Sequence, residues 1–262
     1  MHPRPWITAA FAVALCHARA SAEHDHGGHA GHGGHGDQEP RAPRSRFDVG
    51  IGIVLARYET RLYAGDYQGL RPMASWARGR LGVSATLGLY RITENGATYR
   101  GLGDLHLGVG VLAWSSSLAW ISVGAPVSLP VGDDTHGLGM GHVMVMPTVA
   151  AGISRVTASV TYGRAIGGAA RHAQHGVWPL VDPMNQQELA GSLAVSLPLA
   201  HKLHLAGRLG GALAIGDGGD RIHAAWEAVW TEGRVTTRFD LFTGLASDPV
   251  VVGGGLRSEV SF

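Results

Sequence analysis

The densest group of potential ligands in these 262 residues is the stretch EHDHGGHAGHGGHG, which begins at Glu23. His24, His26, His29, His32 and His35 stand two or three residues apart there on a glycine-rich chain. Neutral imidazole is a good ligand for borderline cations and glycine lets the backbone wrap an ion, so this spacing predicts capture of Zn, Cu, Ni or Co. A second set is His106, His142, Met144 and Met146. On a strand the last three share one face, and imidazole beside thioether is a soft ligand set suited to copper. A third set is mainly ionic: Asp104, Glu188, His204, Arg208, His223, Glu227, Arg238, Asp240, Arg257 and Glu259. Facing an interior, such residues either pair across neighbouring strands or line a path and set its selectivity. No G-x-S-x-G nucleophile motif occurs, so no catalytic residue is assigned, no enzyme activity is expected and no cofactor is obligatory.

What positions these groups is legible from the ends of the chain inward. MHPRPWITAAFAVALCHARASA has an early Arg, an apolar run from Trp6 to Leu15 and the small-x-small tripeptide Ala20-Ser21-Ala22. This reads as a secretory signal peptide over residues 1–22. The single cysteine, Cys16, lies inside it, which leaves the mature chain without disulfides or thiolate ligands. Residues 23–45 combine the His-rich run with the linker QEPRAPRS and cannot bury a core, so they are expected to form a disordered periplasmic tail. A net charge of +1 argues against nucleic acid. No later stretch has the 18 or so uninterrupted apolar residues of a membrane helix. Yet mean hydropathy is +0.07 with 45% hydrophobic residues and 40 glycines, which suits membrane-spanning strands.

Alternation carries the rest. Phe47, Val49, Ile51, Ile53 and Leu55 form one apolar row, Leu81 to Leu89 another, and Val143 to Ile153 another opposite His142, Met144 and Met146. The last strand is read with Val250, Val252, Leu256 and Val260 outward and Arg257 and Glu259 inward. About twelve strands emerge, joined alternately by five short turns and six longer loops, one of them placed at Thr93 to Arg100 and another at Tyr58 to Gln68. Trp76, Trp114, Trp120, Tyr162, Trp226 and Trp230 are read as interfacial girdles, and the inside as polar. The fold class is therefore all-β: residues 46–262 form an antiparallel transmembrane outer-membrane β-barrel behind a disordered His-rich tail.

The ending VVVGGGLRSEVSF resembles the terminal strand of bacterial outer-membrane proteins, whose last Phe is read by the barrel-assembly machinery; the resemblance implies that role for Phe262. Gly101-Leu102-Gly103-Asp104-Leu105, followed by SLPVGDDTHGLGMGHVMVMP over residues 128–147, resembles the outer-membrane family named after the MetA pathway of phenol degradation. That resemblance implies an outer-membrane transporter of undefined substrate, and it does not include the His-rich tail. The reading from residues and resemblance together is a channel in outer-membrane lipid for a small solute, linked to transition metals through the tail. The alternatives are a channel for small hydrophobic or aromatic compounds, or a plugged structural or metal-scavenging barrel.

Overall fold

A computed structural model describes residues 45–59, 64–167, 181, 184–216 and 218–262. The expected signal peptide and the expected tail with its five histidines lie outside these residues, as do His172 and His175.

The described residues form sixteen strand segments. They are β1 (Ser45–Glu59), β2 (Ala64–Arg78), β3 (Leu81–Thr86), β4 (Leu89–Glu94), β5 (Ala97–Leu102), β6 (Leu105–Ser115), β7 (Ala119–Gly124) and β8 (Val127–Leu129). Then follow β9 (Val143–Val145), β10 (Thr148–Ile153), β11 (Val156–Ile166), β12 (Gln187–Ala200), β13 (Leu203–Ala214), β14 (Arg221–Glu232), β15 (Val235–Ala246) and β16 (Val250–Ser261). Four barrel strands are interrupted: β3 with β4, β5 with β6, β7 with β8 and β9 with β10 each run end to end along the same neighbours. The result is a closed antiparallel barrel of twelve strands. Closure leaves no open sheet edge, as a chain crossing hydrocarbon requires.

The seam pairs β1 with β16 from Asp48↔Ser261 to Tyr58↔Val250. Phe47 and Phe262 exchange backbone hydrogen bonds at 2.8 and 3.3 Å. Inside the wall, Asp48 accepts from Ser261 Oγ (2.6 Å), Arg46 Nε (2.8 Å) and Ser75 Oγ (3.2 Å), tying the last strand to the first two. Short turns gather at this end of the barrel; the other end carries the longer connections together with one two-residue turn.

The outer wall is an apolar belt. Ile51, Leu55, Val149, Leu209, Leu241 and Leu256 stand at about half exposure or slightly below, on rows that never meet protein. A soluble protein does not leave so continuous a surface uncovered; lipid covers it. Phe47, Trp76, Trp114, Trp230 and Phe262 collect at the short-turn rim, where amphipathic rings favour the lipid–water boundary.

Four expectations need correction. The connection placed at Thr93 to Arg100 is a two-residue turn: Asn95 (φ 46°) and Gly96 (φ 90°) adopt the left-handed region that closes a tight hairpin, and β4 and β5 fill the rest. The loop placed at Tyr58 to Gln68 shrinks likewise, because β1 pairs with β2 as far as Glu59↔Ala64. Val250 is not on the lipid row: the register shifts opposite Arg57 and Tyr58, Val251 takes up the extra residue, and Val250 turns inward, fully buried. Trp120 also faces inward, over Gly152, since Ile121 and Val123 hold the outer row of its strand.

Candidate functional site

The inward rows divide the lumen into two zones. Toward the short-turn half lies an ionic belt. Arg257 and Arg238 are direct partners on β16 and β15, and Arg71 lies beyond Gly52 on the other side. Their charges are offset by Glu227, which accepts from Arg238 Nη1 at 3.3 Å, by Glu259, 3.3 Å from Arg257 Nε, and by Asp240 beside Glu227. Arg208 lies on the same interior surface, facing Ala225 of β14.

Toward the long-loop end one side of the interior is apolar, while Glu188, Arg221 and His223 keep the other side polar. Val54, Ala56, Tyr58, Tyr67, Tyr90, Ile92, Ala225, Phe242 and Val250 form one buried cluster, and Leu138 and Val181 reach into it from two loops. The expectation of a polar inside therefore holds for only part of the lumen. The signal was present in β1, whose inner row runs Asp48, Gly50, Gly52, Val54, Ala56, Tyr58 and turns apolar partway along. Where the zones meet, Val54, Met73 and Phe242 share a small open cavity with Arg71, Arg257, Glu227 and Asp240.

The loop of residues 130–142 folds into the barrel, where Leu138 joins the buried cluster that includes Val54 and Phe242. Its anchor is Asp104, at the break between β5 and β6. The buried carboxylate accepts from Gly132 N (3.2 Å) on one leg of the loop and from Met140 N (2.9 Å) on the other. The legs touch: a Cβ on Gly132 or on Gly139 would come within 2.9 Å of the other glycine's backbone, so neither position has room for a side chain. Thus G-L-G-D-L supplies the acceptor, and L-P-V-G-D and L-G-M-G supply the two donors. The motifs separated in sequence are one contact in space.

The loop's outer part is also tied. Asp133 accepts from Thr135 Oγ1 (2.6 Å) and from His136 Nδ1 (2.5 Å), and the His136 ring stacks on Tyr99 with centroids 4.1 Å apart. Burial raises the Asp133 carboxyl, but the Thr135 and His136 contacts outweigh it and hold the group below the ordinary carboxylate range. Val181 N donates to Gly137 O at 3.1 Å, joining the second loop to the first.

The soft-ligand set is partly brought together. His106↔Ser128↔Met144 runs as one lateral row across three strands, with all three residues buried. Met144 and Met146 pack with Met140 and Met184, which spacing alone did not single out. No group of three or more His, Cys, Asp or Glu able to hold a metal occurs among the described residues. Glu188 is buried and takes Arg221 Nη2 at 2.6 Å and Asn185 N at 3.0 Å. His223 is buried 3.8 Å from Asp248, whereas His204, on the inward row, is exposed at the short-turn rim. Arg71, Tyr58, Tyr67, Tyr90, Phe242 and Leu138 are interior residues that sequence reasoning did not name.

No family model and no curated protein matches the chain. Solved structures do. An outer-membrane channel from Pseudomonas putida F1 superposes with TM-score 0.62 at 12% identity, covering 89% of this chain and 100% of its own. The KdgM porin bound to disordered oligogalacturonate gives 0.54 at 7% identity, over 82% and 99%. The translocator domain of the autotransporter NalP from Neisseria meningitidis gives 0.50 at 16%, over 97% and 98%. At these identities the likeness establishes a shared outer-membrane barrel fold.

Proposed function

We propose that this chain is an outer-membrane channel for a small solute with an apolar body and a charged end, constricted by the loop of residues 130–142. The observation that carries this reading is the meeting of two chemistries around one cavity: Val54, Met73 and Phe242 against Arg71 and Arg257. Apolar side chains lower the cost of passing an apolar group, while the two guanidiniums, set among Glu227 and Asp240 in the same cavity, supply directional donors that orient a carboxylate rather than a net positive field. A fold shared with outer-membrane channels and an unbroken lipid-facing belt support the location. Phe262, exposed at the end of the seam, is then the handle for the barrel-assembly machinery, and the tail extends into the periplasm. The motif resemblance to the phenol-degradation family points the same way, toward aromatic compounds.

The test is flux into vesicles carrying the purified barrel, comparing an aromatic monocarboxylate with a neutral sugar of similar size. The carboxylate should enter faster, and Arg71→Ala with Arg257→Ala should remove the preference. A barrel that passes neither solute and gives no conductance in planar bilayers is a plugged structural barrel, and the reading fails.

A second reading, favoured by the five tail histidines, is that the tail concentrates a divalent transition metal at the periplasmic mouth. Imidazole must be neutral to bind, so capture would weaken below about pH 6. Deleting residues 23–36 would change the metal tolerance of cells if this holds and leave it unaltered if the tail is a spacer.

A further inference from the structure

Four of the six methionines in the chain, Met140, Met144, Met146 and Met184, form a single buried cluster, none more than 8% exposed. They arrive from three stretches: Met140 from the inward loop, Met144 and Met146 from β9 and the residue after it, and Met184 from the segment before β12. The side-chain ends converge. A Cβ built on Gly163 would meet Met184 Cε at 3.2 Å and Met144 Cε at 3.3 Å, so the bare glycine leaves both thioethers room at one point.

Simple space filling does not explain this choice of residue. The neighbouring interior cluster is built from Val, Ala, Ile, Leu, Tyr and Phe and contains no methionine. Ordering an unbranched side chain costs more conformational entropy than ordering a branched one, so packing alone favours the other set. What methionine adds is a soft, polarizable sulfur donor.

The surroundings select the charge of the ligand. Glu188 also lies near Gly163, but its Oε2 already takes Arg221 Nη2 at 2.6 Å, Asn185 N at 3.0 Å and Asn185 Nδ2 at 3.1 Å. With that carboxylate neutralised, and the Asp104 carboxylate beside Met140 already shared between two loop amides, a desolvated divalent ion would be short of balancing charge, whereas a weakly hydrated monovalent ion needs little.

We propose that Met140, Met144, Met146 and Met184 form a thioether site for one soft monovalent cation, Cu(I) or Ag(I). The site rests on the cluster alone and stands whether or not the barrel conducts an organic solute.

The test uses the mature chain refolded in detergent, and the same chain lacking residues 23–36 so that tail imidazoles do not contribute. Ag(I) is titrated directly, Cu(I) is delivered from a competing chelator under reducing conditions, and X-ray absorption at the metal identifies its neighbours. The tail-less barrel should bind one equivalent through a sulfur-dominated shell. Met144→Leu with Met184→Leu, a volume-conserving pair, should weaken binding about tenfold or more while the barrel keeps its heat-modifiable migration. No Ag(I) binding without the tail, a shell of nitrogen and oxygen only, or unchanged affinity in the double variant would each overturn the site. Should the double variant fail to fold, selenium-edge absorption on selenomethionine-labelled wild type decides: a silver–selenium contact supports the site and its absence refutes it.

Discussion

Asp104 illustrates how much one carboxylate can hold at the residue scale. Both of its oxygens are used, one on each leg of the inward loop, and both donors are backbone amides that water would otherwise solvate. Replacing it by Ala leaves the buried Met140 N–H and the part-buried Gly132 N–H without that acceptor, at a cost of about 1–3 kcal/mol for a fully buried unsatisfied group. The expected outcome of Asp104→Ala is a barrel that still folds, with the loop released and single-channel conductance raised; unchanged conductance would mean that the loop does not set the constriction. The Asp133–His136 contact adds a pH dependence. A depressed carboxyl pKa contributes to loop closure above the unfolded carboxylate value and loses that contribution as pH falls through the folded value, so opening should set in below about pH 4. Conductance recorded against pH should show this transition in wild type and lack it in Asp133→Asn. The buried Glu188–Arg221 pair is a third case at this scale: Glu188→Gln leaves a guanidinium short of its charge partner and should cost about 3–5 kcal/mol, read as a lowered urea midpoint for unfolding.

At the scale of elements, alternation was legible wherever a strand is uniformly half exposed to lipid and half to lumen. β1 could be assigned from Phe47 to Leu55 because each outward residue is large and apolar. It misled where the inner row also becomes apolar, since the contrast between faces then vanishes and only register decides. Val250 shows the effect: the bulge at Val251 reverses the row, and nothing in VVV marks which valine is the extra one. β5 was missed for a related reason, because Ala97–Leu102 carries Tyr99, Arg100 and Gly101 in place of an apolar row. Leu138 belongs to this scale too. It seats a loop into the wall cluster, so Leu138→Ser should weaken loop docking and raise conductance while the wall strands remain intact.

For the whole molecule, the solvent on each face sets what a substitution costs. Leu241 stands on the outer wall near the middle of β15. Leu241→Arg places a charge in hydrocarbon and should lower the stability of the inserted barrel by about 2–4 kcal/mol, measured by reversible urea unfolding with lipid vesicles. A charge added among Arg71, Glu227 and Asp240 should alter solute selectivity with less effect on stability, because that zone is already ionic and partly hydrated. Comparable stability losses at the two positions would contradict the assignment of lipid outside and lumen inside.

The sequence by itself determined the wall: period-two alternation and the apolar belt are local properties, repeated at each strand and enforced by lipid on one side. Even the motifs G-L-G-D-L and L-P-V-G-D were visible as landmarks. Only the tertiary structure decided that they meet, that the loop between β8 and β9 turns inward, that four methionines from three stretches share one volume, and that one side of the upper lumen is apolar. These outcomes depend on the register between strands remote in sequence. Asp104 and Met140 are 36 residues apart, and the pairing of β8 with both β6 and β9, with the loop between β8 and β9 turned inward, brings one to the other.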